Sequence, residues 1–80
     1  SEMCIRDSNN GTFTIEFTSE SQNDLSVMVH DIRGRVVYNN KFANSGLFSG
    51  NISLNNAEQG VYLVTVQDGN RKETRKIVVK

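Results

Sequence analysis

Short runs of alternating apolar and polar residues dominate this chain, and no stretch has the spacing of an amphipathic helix. The clearest run is Thr12–Thr18, in which Phe13, Ile15 and Phe17 fall on one face and polar residues on the other. Leu25–Asp31 repeats the same pattern. Because side chains alternate between the two faces of a strand, these runs predict β-strands that each bury one face.

Turn residues separate the predicted strands in the first half of the chain. Residues 31–35 are expected to form a turn, since Gly34 is the natural residue for a positive φ. Residues 35–42 then return as the partner strand of a hairpin. Residues 47–54 predict a weaker strand, with Gly50 as a β-bulge position.

The last third of the chain is the most strand-like part. Residues 60–67 carry β-branched or aromatic side chains on both faces, which is typical of a central strand. Asp68-Gly69 is a hairpin signal, and the final strand is expected over about 71–79. About six or seven strands at regular spacing predict an all-β fold, a small antiparallel β-sandwich of the immunoglobulin-like or fibronectin-like kind.

Composition excludes several classes of protein. Nine basic and nine acidic residues give a formal net charge of 0, which argues against nucleic acid as an obligatory partner. A single cysteine allows no internal disulfide. No apolar run approaches the ~18–20 residues of a membrane span, so no stable membrane insertion is expected. The first residues lack the apolar centre of a signal peptide, and abundant Asn and Ser favour a piece of a longer secreted chain.

Few residues suggest chemistry. His30 beside Asp31 could be half of a catalytic dyad, but a surface histidine next to a turn aspartate is the favoured interpretation. Cys4 could be a reactive thiol or a lipid attachment point, and we favour a boundary residue in a disordered end. The acidic residues are scattered and form no calcium loop or metal-ligand spacing. We therefore expect no enzyme, no metal and no cofactor.

The final strand is strongly basic. Arg71, Lys72, Arg75, Lys76 and Lys80 are opposed there only by one glutamate. Lysines on an edge strand discourage edge-to-edge aggregation, which is one explanation of this pattern. Recognition by an acidic partner is the other, and a chain that ends inside such a strand favours the use of its C-terminus.

Four segments together resemble the type A C-terminal sorting domain of the type IX secretion system of Bacteroidetes. The segments that carry the resemblance are Asn10-Gly11-Thr12-Phe13-Thr14-Ile15, Val29-His30-Asp31-Ile32-Arg33-Gly34-Arg35-Val36-Val37, Gly60-Val61-Tyr62-Leu63-Val64 and Lys76-Ile77-Val78-Val79-Lys80. Their order and spacing agree with that family over about residues 9–80. Each motif alone is weak, and the specificity comes from their combination.

The resemblance implies a β-sandwich that is the last module of a secreted cargo protein. Such a domain directs its cargo from the periplasm through the outer-membrane translocon, with an outer-membrane shuttle protein, and a sorting peptidase usually removes it. The cargo is then released or held at the cell surface. By resemblance, Asp31, Gly34 and Gly60 shape turns and Tyr62 is a core or inter-sheet anchor. The residues expected to carry recognition are Lys76, Ile77, Val78, Val79 and Lys80.

The resemblance fails at the N-terminus. The family usually has a Pro-Asn-Pro segment where this chain has Arg6-Asp7-Ser8. Residues 1–8 show no strand pattern, so we expect a scar, a fragment boundary or a disordered end there, and a sorting domain over 9–80. An extracellular spacer, adhesion or carbohydrate-binding sandwich is the alternative function. It is disfavoured because a sugar site needs exposed aromatic rings, and the six aromatic residues here fit core positions.

Overall fold

The fold is all-β, as the sequence predicts. The structure is a computed structural model, and it describes residues 2–7, 11–18, 24–43, 46–54 and 57–79. Lys80 of the predicted recognition segment lies outside these residues. The strands, in chain order, are β1 (Glu2–Asp7), β2 (Thr12–Thr18), β3 (Leu25–Asp31), β4 (Val36–Phe42), β5 (Leu47–Ser53), β6 (Gly60–Asp68) and β7 (Arg71–Val79).

The strands form two antiparallel sheets. One sheet has three strands in the order β1-β2-β5, and the other has four in the order β4-β3-β6-β7. The hairpins β3–β4 and β6–β7 lie within the four-stranded sheet, where β6 pairs with β3 on one side and with β7 on the other. The predicted central position of β6 is therefore confirmed, and β7 is an edge strand.

The alternating residues build the core between the sheets. Phe13, Ile15 and Phe17 of β2 are at most 2 % exposed, and the polar residues between them are half-buried on the other face. The same holds for Leu25, Val27 and Val29 of β3, which the structure buries completely. Burial of one face in each sheet is what makes the period-2 pattern decisive for this fold.

Strand β5 is regular, and the predicted bulge at Gly50 is wrong. Gly50 pairs with Ile15 without any shift in register. Packing explains why position 50 is a glycine, because a Cβ there would lie 2.6 Å from Cζ of Phe48. The Phe48 ring in turn stacks at a tilt on Phe42, with 4.8 Å between the ring centroids. The irregularity lies in the other sheet, where the β3–β4 register shifts between Val29 and His30.

The N-terminal segment also differs from the expectation. The sequence shows no strand pattern in residues 1–8, yet Glu2–Asp7 forms β1 and pairs with β2 along its whole length. Met3 is 4 % exposed in the core and Ile5 packs against it, so two apolar side chains at strand spacing are enough to fill this edge. Cys4 between them is exposed on a strand rather than part of a disordered end. That residues 1–8 are foreign to the domain stays a prediction.

Candidate functional site at the turn end of the four-stranded sheet

Three separate sequence motifs meet at one end of the four-stranded sheet. In the strand register, Asp31 pairs with Tyr62 and Tyr62 pairs with Ile77. Gly60 at the start of β6 pairs with Val79 at the end of β7. We call this region, residues 31–35, 59–63 and 76–79, the turn end. The sheet thus joins segments that lie up to 48 positions apart in the sequence.

The turn at residues 31–35 is organised by one carboxylate. The backbone N–H groups of Arg33 and Arg35 both donate to Oδ1 of Asp31, at 2.9 and 2.8 Å. Nε of Arg35 donates to Oδ2 at 3.2 Å. The backbone closes the turn as well, since Gly34 N–H donates to the Asp31 carbonyl and Asp31 N–H to the Arg35 carbonyl. Aspartate is the residue that caps such a turn with its own side chain.

These hydrogen bonds set the ionisation of Asp31. The backbone N–H of Arg35 is the main cause that lowers the pKa of this carboxyl below its ordinary 3.8, and the N–H and guanidinium groups around it add to the effect. Partial desolvation opposes the shift without reversing it. The turn therefore holds Asp31 as a carboxylate.

Both glycines of the turn end adopt a positive φ. Gly34 has a φ of 89° inside the turn, and Gly60 has a φ of 153° where β6 begins. A Cβ at either position would meet no atom within 4 Å, so backbone conformation rather than space explains these glycines. Gly34, Gly60 and Asp31 therefore all determine the backbone conformation of the turn end.

Tyr62 fixes the connection between the two sheets. Its side chain is buried in the core, as the resemblance implies, and its hydroxyl donates to the Glu58 carbonyl at 2.7 Å. The segment that leads from β5 to β6 crosses from one sheet to the other. A buried tyrosine that bonds to backbone a few residues upstream is a known device at such corners of β-sandwiches. The sequence predicts Tyr62 in the core but gives no signal for this hydrogen bond.

The predicted recognition residues divide into two groups. Ile77 and Val79 are 6 % exposed and belong to the hydrophobic core, so their side chains are not available to a partner. Lys76 and Val78 alternate with them and are exposed. Their side chains project from the outer face of the four-stranded sheet, on its edge strand β7.

The basic residues also divide. Arg71 pairs with Asp68 beside the β6–β7 hairpin, so Arg71 and Lys72 lie at the hairpin end of β7, whereas Lys76 lies in the half nearer the turn end. Arg33 and Arg35 are exposed in the 31–35 turn, which lies at the same end of the sheet as the end of β7 but is separated from it by β6. The sequence alone did not connect these two arginines with the basic surface of β7, because only strand register shows that the turn and residues 76–79 lie at the same end of the sheet.

The structure gives no support to a catalytic dyad of His30 and Asp31. The Asp31 oxygens already accept bonds from Arg33 and Arg35, and buried Nδ1 of His30 has no hydrogen-bond partner among the described residues. A shallow pocket of about 210 Å³ lies between the turn and the start of β6. It is smaller than the roughly 300–1,000 Å³ of typical ligand sites.

Other kinds of site are also missing from the part of the chain that the structure describes. It contains no group of three or more His, Cys, Asp or Glu that could hold a metal ion. Within the same residues, no helix is long and apolar enough to cross a membrane. The aromatic side chains form no exposed platform: Phe13, Phe17, Phe48 and Tyr62 are buried, and Tyr38 and Phe42 pack against the core.

Fold and site together define a small antiparallel β-sandwich whose distinctive features lie at one end of one sheet. The model of the secretion system C-terminal sorting domain family matches residues 9–80. The chain belongs to this family, the C-terminal sorting signal domains of the type IX secretion system. A search of curated proteins finds no significant match.

Family membership confirms the resemblance seen in the sequence. It implies interaction with the type IX secretion machinery and export to the cell surface or the extracellular space. Sorting domains of this kind are not known to be catalytic. Nothing in the fold or the comparisons favours a spacer, adhesion or carbohydrate-binding module.

Proposed function

We propose that this chain is a non-catalytic export signal that acts while it is attached to an upstream cargo protein. The turn end of the four-stranded sheet is the surface that the secretion machinery recognises. The observation that carries the proposal is the convergence there of the 31–35 turn, the start of β6 and the end of β7. Its partners are the outer-membrane translocon, a shuttle protein of that membrane and the sorting peptidase that removes the domain after passage from the periplasm.

The free edge of β7 offers a mode of recognition. An edge strand presents a row of unpaired backbone N–H and C=O groups, to which an extended segment of a partner can add as a further strand. Ile77 and Val79 hold this edge against the core, while Lys76 and Val78 remain exposed beside it. Backbone bonds would supply much of the affinity, and the lysine would set charge complementarity and orientation.

Edge protection is a competing explanation of the basic strand. It predicts that any exposed lysine of β7 serves equally well, because each one discourages strand addition. Recognition predicts instead that position matters. Lys72 and Lys76 provide a matched pair, since both are exposed on the same face of β7, Lys72 beside the hairpin and Lys76 four residues further towards the turn end.

The test compares Lys76→Glu with Lys72→Glu in a reporter protein that carries this chain at its C-terminus. In a host with a type IX system, we expect the wild-type and Lys72→Glu fusions in the medium or on the cell surface, and the Lys76→Glu fusion in the periplasm. Deleting residues 76–80 should also trap the reporter, but this truncation removes Ile77 and Val79 from the core. The charge reversals avoid that ambiguity, and normal export of Lys76→Glu would contradict recognition through this residue.

A further inference from the structure

Exposed apolar side chains are concentrated in the turn end and in the first residues of β4 next to it. Among the described residues, six large hydrophobic side chains are exposed, and only Leu47 of these lies in the three-stranded sheet. The other five lie in the 31–35 turn, at the start of β4, in β6 and in β7, and they are Ile32, Val36, Val37, Val61 and Val78. Exposed apolar groups are common singly, but their clustering marks an interaction surface.

Strand register places Val36, Val61 and Val78 on one face of the sheet. Val37 adjoins Val36 in the chain, and Ile32 lines the same shallow pocket as Val61. Val61 lies directly opposite Val78, and in the next row Leu63 lies between His30 and Lys76. Val36 pairs with His30 across the shifted β3–β4 register. We call the exposed residues Ile32, Val36, Val37, Val61 and Val78, together with half-buried Leu63, the valine patch.

The other end of the same sheet face is polar. There, one cross-strand row runs from Lys41 of β4 through Ser26 of β3 and Gln67 of β6 to Lys72 of β7. The apolar character is therefore specific to the turn end and is not a general property of this face. Since the patch lies on the side of the sheet away from the core, folding of the domain does not bury it.

The charges around the valine patch are unevenly compensated. The region carries three cations, Arg33, Arg35 and Lys76, and two carboxylates, those of Asp31 and Glu58. Asp31 is engaged by Arg35. Among the described residues, neither Arg33 nor Lys76 has an ion-pair partner. An occupant with carboxylates at its rim would match this pattern.

The residue types favour a protein occupant over a lipid surface. Membrane-interface sites use Trp and Tyr at the headgroup level. The chain has no Trp, and every Tyr and Phe is buried or packed against the core. The valine patch consists instead of β-branched and aliphatic side chains on a sheet, which suits contact with an apolar protein surface of complementary shape.

We propose that the valine patch docks a component of the secretion machinery through an apolar surface with carboxylates at its rim. This inference rests on the proposed export function and names the chemistry of the partner. Contact through the patch would place the partner beside the free edge of β7, where strand addition can follow. The apolar centre would supply affinity, and Arg33 and Lys76 would orient the partner.

The test compares Val78→Glu with Leu47→Glu in the reporter fusion. Each substitution places a carboxylate at an exposed apolar position of a strand, one in the valine patch and one on the other sheet. We expect export of Val78→Glu to fall by about tenfold, because an apolar contact of the patch is lost and a like charge faces the partner. Leu47→Glu should be exported like the wild type. Thermal unfolding of both variants identifies any loss of folding.

If Val78→Glu fails to fold, the double variant Val61→Thr/Val78→Thr removes apolar surface while it keeps β-branched residues. Equal export of the patch variants and the wild type would overturn the docking inference and leave the proposed function intact. Retention of the wild-type fusion itself would refute the proposed function.

Two further measurements decide between occupants. The first is binding of the purified wild-type chain to vesicles of anionic phospholipid and lipopolysaccharide. If the chain binds them and Val78→Glu abolishes the binding, the patch contacts a membrane surface and not a protein. A wild-type dimer that Val78→Glu converts to a monomer would make the patch a contact between copies. We expect the wild-type chain to be monomeric and to remain unbound to such vesicles.

Discussion

The outer faces of the two sheets differ in how their side chains are satisfied. On the three-stranded sheet, the hydroxyl of Thr14 donates to Asn51 at 2.8 Å, and Arg6 approaches Glu16 at 3.4 Å. On the four-stranded sheet, the turn end presents the valine patch and Lys76 without such partners among the described residues. The Thr65 and Thr74 hydroxyls form such a cross-strand pair farther along the four-stranded sheet, at 3.2 Å, so the contrast is with its turn end alone.

The inner faces show no such difference. Ile15 of the three-stranded sheet and Val64 of the four-stranded sheet are both at most 1 % exposed. Both sheets therefore contribute to the core, and the contrast is confined to the side that faces solvent. A difference that does not serve the core is more readily explained by recognition than by stability.

The largest expected effect separates the two faces of β7. Ile77→Ala should lower the free energy of unfolding by about 2–4 kcal/mol, because it removes a buried side chain and leaves a cavity. Val78→Thr, one residue further on, should change it by no more than about 0.5 kcal/mol. Urea denaturation measures both. An equal loss for the two variants would mean that the outer face has a structural role, and the contrast between the sheets would fail.

A smaller effect is expected from crowding the inner face of the three-stranded sheet. Gly50→Ala places a Cβ about where the Phe48 ring lies and should destabilise the domain by about 1–2 kcal/mol, after the gain in backbone rigidity is included. A second substitution, Phe48→Leu, should reduce the cost of Gly50→Ala because it makes room for the added methyl group. The wild type, the two single variants and the double variant can be compared by thermal unfolding. Independent, additive effects would show that the ring does not limit position 50.

The smallest effect concerns the pH dependence of the 31–35 turn. Since folding lowers the pKa of Asp31, its carboxylate contributes stability above the ordinary pKa of 3.8, and this contribution is lost as the pH falls through 3.8 and the lowered pKa. Asp31→Asn keeps an oxygen acceptor but cannot titrate. We expect the wild type to lose more stability than this variant between about pH 6 and pH 2 in thermal unfolding. Parallel pH profiles would contradict the role of the carboxylate.

The strands of this protein were largely predictable, because their signals are local. Alternation in β2 and β3 identifies their buried faces, and Asp68-Gly69 identifies the last hairpin. Strand β1 was missed since only Met3 and Ile5 mark its inner face, a pattern too short to stand out. Gly50 was assigned to a bulge because a sequence does not show which ring lies above a glycine.

The candidate site was predicted only in part. The sequence predicts residues 76–80 as one recognition segment, but Ile77 and Val79 are core residues, and only Lys76 and Val78 of the described ones are exposed. Arg33 was not joined to the basic surface. The register that places the turn and the end of β7 at the same end of the sheet depends on the pairing of β3 with β6, which no local pattern specifies.

The amino-acid sequence was sufficient to define most of the strands, the Asp31 and Gly34 turn and the family to which the chain belongs. These follow from local rules of backbone geometry and alternation, and from motifs in a fixed order. Only the folded sheets show which side chains meet at the turn end and which face of β7 stays open. The reason is physical: hydrogen bonds between distant strands set the register, and burial of one face of each sheet leaves the other face to solvent.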